Sequence, residues 1–470
     1  MATISYTPLT QKALSECIDS EVVILGQVRT IRSGKKQTFI EVGYSDQQLQ
    51  AVASSAMIAE KVKDLSIQCY CEFSGVIKAL PEGKTSAMPF ELQVDTIRVI
   101  STCPSDFYDQ CPPDAGPEIK LEKRHFYFRD PKFALVLRAH AALLKAMRAH
   151  FDETDCVEIT PPSFASESEG GASLFKLEYP GKTSDKPMIA CLTQSSQFAL
   201  EYVLPGLGDA YCIAPSFRAE KSHTRRHFTE FLHAESEYGG IMTFEDHLQK
   251  LRELMQGILK HFLIFAEAIL KEMGPEVYDR VVKLEQMTHK IVILEHKDAI
   301  KMCHELGIQK TETIEVEEVV DGVPTIVTKH IEVPFEERDD IPEAQERKLI
   351  DTIGEIVFLT KFPKEFKSFY MGLDPEDPSR VLGCDIEVPG VGEVVGSGVR
   401  EYDYQRLYDR MVEQGLKPEE YKAYLDLRKY GHCRTSGMGL GVGRLLTWLL
   451  GAYSIRDVTA FPCFPGYYTF

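Results

Sequence analysis

The stretch YCIAPSFRAEKSHTRRHFTEFLHAESE, residues 211–237, decides how this chain is read. Two strand-like arms flank a polar loop from Lys221 to His227. A period of two puts Arg218 and Glu220 on one face of the first arm, and Thr229, Phe231, His233, Glu235 and Glu237 on one face of the second. Such a hairpin has the parts for a nucleotide. A guanidinium binds phosphate, a carboxylate accepts from an exocyclic amine, and an aromatic ring stacks on a base. A charged surface hairpin has the same spacing, so the hairpin alone leaves both readings open.

Two later segments add to it. DIEVPGVGEVVGSGVR (385–400) sets Asp385, Glu387 and Glu393 among apolar residues and glycines, an odd place for charge unless it meets a metal or a ligand. Strict alternation puts Glu393 and Arg400 on opposite faces, and Gly396 and Gly398 are the expected sites of a bulge that re-aims one of them. GMGLGVGRLLTWLLG (437–451) has glycine at every second position before an apolar run of helical character, with Arg444 at the helix start as a candidate anion contact. It is neither a dinucleotide fingerprint nor a P-loop.

Upstream, the first hundred residues read as five short strands, EVVILGQVRTIR, TFIEVGYS, LQAVA, QCYCEFSGVIKAL and PFELQVDTIRVIS, with one helical patch near 55–63. A small closed barrel of the OB type fits this pattern, with a sandwich as the alternative. Residues 104–123, rich in Pro and acid, read as a linker between a domain at 1–103 and one at 124–470. The second opens on an amphipathic helix near 131–152, with Ala134, Leu135, Leu137, Ala141, Leu144, Met147 and Phe151 at helical spacing. The acidic run 311–346 reads as a solvated, hairpin-containing insertion plus loop rather than a site.

Across 470 residues the chain is 44% hydrophobic and 26% charged, with a net charge of −18, which argues against a nonspecific nucleic-acid coat protein while leaving local basic patches open. No run reaches the ~18–20 apolar residues of a membrane helix. The N-terminal residues have neither a signal-peptide nor a transit-peptide pattern, so cytosol is the expected compartment. The 12 cysteines show no paired zinc spacing and read mostly as small buried hydrophobes.

Taken together, FRAE…RHFTEF, the acidic Gly-rich strand and the terminal GxGxGxxR resemble motifs 2 and 3 of class II aminoacyl-tRNA synthetases, in that order. FDETDCVEITPPSF (151–164) resembles motif 1, the helix and proline-ended strand used at the dimer interface, and so points to Pro161 there. The OB-like domain is similar to that of class IIb, which charges Asp, Asn or Lys. SEGGASLFKLEYPG, LTQSSQFALE, DDIPEA, KSFYM, GEVVGSGVR and SIRDV resemble the cytosolic archaeal–eukaryotic branch of the asparaginyl-tRNA synthetases. The chain departs from that pattern at Gln27, Gly443 and Cys463.

The resemblance implies an α+β chain: an N-terminal OB-fold β-barrel that binds the anticodon, then a class II catalytic domain with an antiparallel sheet flanked by helices. It implies ATP as substrate and Mg²⁺ as cofactor, L-asparagine and tRNA(Asn) as partners, a homodimer, and no membrane. Arg218 and Arg444 are then the catalytic arginines. ATP falls to Arg218, Glu220, Arg226, His227, Phe231, Glu393 and Arg444, and the metal to Asp385 and Glu393. The amino acid falls to Glu169, Ser195, Gln197, Arg218, Glu235 and Arg400, and the anticodon to Arg29, Phe39, Gln50 and Glu91. Aspartate enzymes of this group carry a lysine in the segment that here reads Gln194-Ser195-Ser196-Gln197-Phe198-Ala199-Leu200. The alternatives are such an aspartate enzyme, or an inactive paralogue that only binds tRNA.

Overall fold

Alternating apolar residues close the first part of the chain into a barrel. In the computed structural model, which describes residues 5–44, 47–80, 83, 86–165, 173–181, 188–222, 224–320 and 323–468, the chain divides into compact units Met1–Val136 and Leu137–Phe470. After a short helix α1 (Gln11–Ser15), strands β1 (Glu21–Ser33), β2 (Gln37–Tyr44), β3 (Gln47–Ser54), β4 (Tyr70–Ala79) and β5 (Phe90–Ser101) form a closed barrel in the order β1-β2-β3-β5-β4. Helix α2 (Ser55–Lys61) follows β3. Val22, Ile24 and Val28 of β1 point inward with Ile40, Leu49, Phe73, Ile77 and Leu92. This inward set is what period-2 alternation requires of a barrel. The span read as linker carries two short helices, α3 (Phe107–Gln110) and α4 (Pro117–Glu122), and α5 (Arg124–Tyr127) follows directly after it.

Helix α6 (Pro131–Glu153) starts with proline, whose missing N–H costs nothing at a helix start. Its buried stripe is Leu135, Ala139, Ala142, Leu143, Ala146, Met147 and Phe151, whereas Ala141, expected in the stripe, is exposed. Then come β6 (Val157–Glu158), β7 (Phe164–Ala165), β8 (Lys176–Tyr179), β9 (Met188–Leu192), α7 (Gln197–Leu207) and the hairpin β10 (Ala210–Phe217) and β11 (Glu230–Gly239). A capping box between Thr243 and Asp246 starts the long helix α8 (Phe244–Met273). After α9 (Pro275–Met287), β12 (Val292–Glu295) and α10 (His296–Glu305), the acidic segment forms a separate two-stranded ribbon, β13 (Lys310–Val320) and β14 (Val323–Val333). Next are α11 (Glu343–Ile353), β15 (Val357–Thr360), β16 (Gly383–Val388), β17 (Gly392–Val399), α12 (Tyr404–Glu413), α13 (Lys422–Lys429), β18 (Thr435–Gly441), α14 (Val442–Leu450), β19 (Cys463–Phe464) and β20 (Tyr467–Tyr468).

The second unit is built on one sheet ordered β12-β15-β16-β17-β18-β11-β10-β6. Its middle is antiparallel, as expected, while the outer pairs β12–β15 and β10–β6 are parallel. All six residues of β16 are buried, so Asp385 and Glu387 lie inside the sheet layer. The β16–β17 pairing runs Ile386 to Val395 and then Glu387 to Glu393, which leaves Val394 as the extra residue of a bulge. The bulge therefore sits at Val394 rather than at Gly396 or Gly398.

Candidate active site

Pairing of β11, β18 and β17 brings the decisive stretches side by side. Glu235 lies opposite Gly439 and Glu237 opposite Gly437, while Gly439 in turn faces Gly396. A Cβ on Gly437 would stand 1.9 Å from the Glu237 carboxylate, so only glycine there admits that side chain. The glycine repeat thus makes room for charged groups of the neighbouring strand, in a cleft that reaches from Ser195 and Arg400 at one end to Arg226 and Arg444 at the other.

At the Arg444 end, Arg218 follows β10, its guanidinium 5.3 Å from the centre of the Phe231 ring. Its Nε is buried with no acceptor. Glu220 and Phe231 are half-buried and line the same end. Arg444, in the first turn of α14, donates from Nη1 to Glu393 Oε2 at 3.2 Å and to the Glu393 carbonyl at 3.0 Å. Burial pushes the Glu393 carboxyl up, but Arg444, Lys367, Arg226 and Arg218 outweigh it and hold the group down at about 2. His227 contacts the Thr224 hydroxyl, and burial together with Arg444 and Arg226 lowers its imidazole to about 4, so it is neutral at pH 7. At Gly443 a Cβ would meet nothing closer than Thr459 Oγ1 at 3.8 Å, so a longer side chain has space there.

Asp385 and Glu393 converge over Gly396, where a Cβ would stand 3.1 Å from Glu393 Oε1 and 3.8 Å from Asp385 Oδ1. Burial raises Asp385 to about 6, with Lys367 opposing and Glu393 adding to the rise. Among the described residues no three His, Cys, Asp or Glu side chains converge as a metal cluster. Mg²⁺ bound with a nucleotide needs only one or two carboxylates, since phosphate and water complete its shell, so this pair fits it.

At the other end, the Ser195 hydroxyl donates to Glu235 Oε1, the Ser196 N–H donates to Oε2 at 2.8 Å, and the Gln197 N–H donates to Ser195 Oγ at 3.1 Å. The Gln197 amide donates to Glu201 Oε1 at 3.0 Å. Arg400 is paired with Glu237 and leaves Nη1 against Met371 Sδ at 3.8 Å. Glu169 lies outside the described residues. Pro161 is half-buried in the segment between β6 and β7.

On the barrel, Gln50 donates to Glu91 Oε2 at 2.8 Å, Arg32 donates to Gln50 Oε1 at 3.3 Å, and the Arg32 guanidinium lies 5.8 Å from the Phe39 ring centre. Phe39, Gln50 and Glu91 thus share one surface. Arg29, the extra residue of a bulge in β1, instead donates to the Arg129 carbonyl at 2.6 Å.

Several groups in or around the cleft received no role from the sequence, although Lys367, Glu343 and Glu201 stand in the segments KSFYM, DDIPEA and LTQSSQFALE. Lys367 Nζ lies 2.5 Å from Asp385 Oδ2. Glu343 holds Arg226 Nε at 3.0 Å, and the half-buried Glu346 is raised to about 8 by desolvation and by neighbouring Glu393 and Asp385. Both come from the acidic run read as solvated; only its hairpin part is a separate ribbon, and its end runs into α11 beside residues that line the cleft. Glu201 lies beneath Gln197, accepting from the Tyr424 hydroxyl at 2.8 Å and from Arg428 at 2.6 Å.

Residues 116–464 match the family described as tRNA synthetases class II (D, K and N). The chain is 35% identical over 456 residues to the cytoplasmic asparagine–tRNA ligase of Saccharomyces cerevisiae, covering 96% of this chain and 76% of that one. It resembles the asparaginyl-tRNA synthetase of Pyrococcus horikoshii complexed with asparaginyl-adenylate, with a TM-score of 0.84, 31% identity, and all of both chains covered. The Entamoeba histolytica asparaginyl-tRNA synthetase in complex with asparaginyl-adenylate gives a TM-score of 0.81 at 30% identity over 95% of this chain and 96% of that one.

Proposed function

The chain belongs to the class II tRNA synthetases of the aspartate, lysine and asparagine group, in their asparagine–tRNA ligase branch, and from that premise we infer how the cleft joins L-asparagine to tRNA(Asn). ATP and asparagine first give asparaginyl-adenylate and pyrophosphate. A hydroxyl of the 3′-terminal ribose then takes the acyl group, and AMP leaves. Cytoplasm is the compartment, in line with the name of the yeast relative.

What carries this reading is one layout: arginines and a stacking ring gathered at one end of the cleft, and paired polar groups fitted to a small amide at the other. Neither step needs a protein nucleophile, so positioning and charge stabilisation supply the acceleration. Arg218, with an unused buried Nε, bridges the asparagine carboxylate and the α-phosphate. Glu220 accepts from the adenine amine, Phe231 stacks on adenine, and Arg444 covers its other face or the γ-phosphate. Arg226 and His227 take the outer phosphates. Ser195 and Gln197, with Glu169, hold the α-ammonium; Arg400 donates to the side-chain carbonyl and Glu235 accepts from the amide. Asp385 and Glu393 would hold Mg²⁺, which when bound neutralises phosphate charge.

On the barrel, Phe39 stacks on an anticodon base, while Gln50 and Glu91 read edges and Arg29 contributes charge. A homodimer fits the apolar surface near Pro161, where Phe164, Met188 and Ile189 are 48%, 57% and 62% exposed. Pyrophosphate exchange with each standard amino acid tests the whole reading: asparagine alone should support exchange, and a pure tRNA(Asn) transcript should then be charged. Exchange with none of them would leave a binding protein.

A further inference from the structure

Asp385 is not left bare toward the cleft. Lys367 lies between the short turn Lys364–Phe366 and β16, and its ammonium sits 3.8 Å from the centre of the Phe362 ring and 2.5 Å from Asp385 Oδ2. Its main chain is fixed, since its carbonyl accepts from Gln414 Nε2 at 2.9 Å and Arg410 Nη2 at 3.3 Å. Any displacement of the ammonium is therefore a movement of the side chain alone. Glu393 and Glu346 also lie in the field of the ammonium, so a single lysine faces three buried or half-buried carboxylates. The ammonium holds Oδ2, while Oδ1 is the oxygen that converges with Glu393 over Gly396, so a divalent cation bound there stands beside the ammonium and is repelled by it. Two like charges converging over Gly396 need a cation of some kind to stay ionised together.

We propose that Lys367 is a positioning residue that holds Asp385 as an internal counter-ion and opposes a divalent cation at the neighbouring oxygen, so that metal binds tightly only once the ammonium is drawn off. This rests on the reading of Asp385 and Glu393 as the cation carboxylates, and it adds a residue with no assigned part in the reaction. The ammonium keeps Asp385 aimed at the cleft and raises the threshold for metal binding without nucleotide. The phosphates of ATP bring both the missing ligands and a new anion for Lys367 to meet.

The test is Mn²⁺ binding to the full chain without nucleotide, read from the electron paramagnetic resonance of free Mn²⁺. Lys367→Met keeps the stem against Phe362 and removes the charge, and Lys367→Gln serves as a second variant should the first not fold. Mn²⁺ affinity should rise about tenfold or more over wild type, the scale on which a nearby opposite charge alters the ionic state of a carboxylate. Adding Asp385→Asn to Lys367→Met should abolish the gain. Affinity equal to or below wild type in folded Lys367 variants, with Asp385→Asn still weakening Mn²⁺·ATP binding, overturns the proposal and leaves the metal carboxylates standing. A gain that survives Asp385→Asn overturns the metal reading of Asp385 itself. A damaged fold lowers affinity, so a gain cannot come from mere structural loss.

Discussion

Arg400 and Glu237 form an ion pair behind the amino-acid end of the cleft, Nε 3.1 Å from Oε2, with the two residues only 4% and 1% exposed. Glu201 stands 4.0 Å from the same guanidinium, so Arg400 is gripped from below while Nη1 remains for a ligand. Breaking a buried pair from one side leaves an uncompensated charge and costs about 3–5 kcal/mol. Glu237→Gln should lower stability in urea unfolding by that order. It should also raise the KM for asparagine while the KM for ATP stays within about twofold, since the groups proposed for ATP lie at the other end. An unchanged KM for asparagine would detach this pair from amino-acid binding.

Glu393 is ionised at any working pH, because four basic side chains outweigh its burial. Glu393→Gln keeps its shape and hydrogen-bonding reach but removes the charge. Adenylate formation should fall by about 10²–10³-fold, the usual size for losing one preorganised electrostatic partner. The thermal transition should fall as well, because the same four cations lose their counter-charge, so exchange is compared at a temperature where both proteins are folded. Near-normal pyrophosphate exchange would remove Glu393 from the ATP end.

Local pattern makes part of this site visible and hides the rest. Alternation along 211–237 puts Phe231, Glu235 and Glu237 on one face, and the folded hairpin keeps them there, because the side to which a strand residue points is a local property. The barrel is readable for the same reason: its inward residues alternate within each strand. Lys367 and Asp385 are 18 positions apart and meet only because their segments are brought together by β16. Glu343 and Glu346 belong to a run whose composition says solvent, yet α11 packs on β16 and β17 and carries them up to Arg226 and the cleft carboxylates. Glycine marks the bulge region, but the extra residue is Val394, since the offset is fixed by cross-strand pairing with Glu387 rather than by the glycines.

Binding and chemistry should separate at the barrel. Phe39 is half-buried beside Arg32, so its ring has a free face. Phe39→Ala should weaken tRNA binding by about 1–3 kcal/mol, one base–aromatic stack. Pyrophosphate exchange without tRNA should be unchanged. Equal losses in exchange and aminoacylation would make Phe39 a packing residue only.

Acid should unfold the second unit through its buried imidazoles. His247 is wholly buried with Nε2 3.0 Å from Ser397 Oγ, and burial followed by Arg400 lowers it to about 3. His150 is lowered to about 4, again by burial first and then by His261. The unfolded chain binds these protons near pH 6.5 and the folded chain does not, so stability is full above pH 6.5 and falls as pH drops toward 4. Each such group contributes about 1.4 kcal/mol per pH unit in that window. Between pH 7 and pH 5 the wild type should therefore lose about 2 kcal/mol more than His247→Gln, measured by urea unfolding at each pH. Parallel pH profiles for the two proteins would show that His247 titrates normally in the fold.

In the proposed reaction the choice between asparagine and aspartate falls to Glu235. Both of its oxygens are already aimed, one by the Ser195 hydroxyl and one by the Ser196 N–H, and it is 3% exposed. An amide NH₂ brought to this carboxylate donates to it. A second carboxylate brought there is repelled and must give up water with no cation to replace it. The Gln194–Leu200 segment holds no lysine, the charge of Arg400 is already matched by Glu237 so that its Nη1 adds a donor but no unbalanced cation, and Lys367 is paired with Asp385. Burying an unpaired or repelled charge costs several kcal/mol, enough for discrimination of about 10³-fold or more. Wild-type exchange should thus proceed with asparagine and be nearly silent with aspartate, and Glu235→Ala should lose asparagine turnover far more than ATP affinity. Comparable kcat/KM values for aspartate and asparagine in the wild type would overturn this assignment, because no arrangement of these paired cations would then account for the accepted charge.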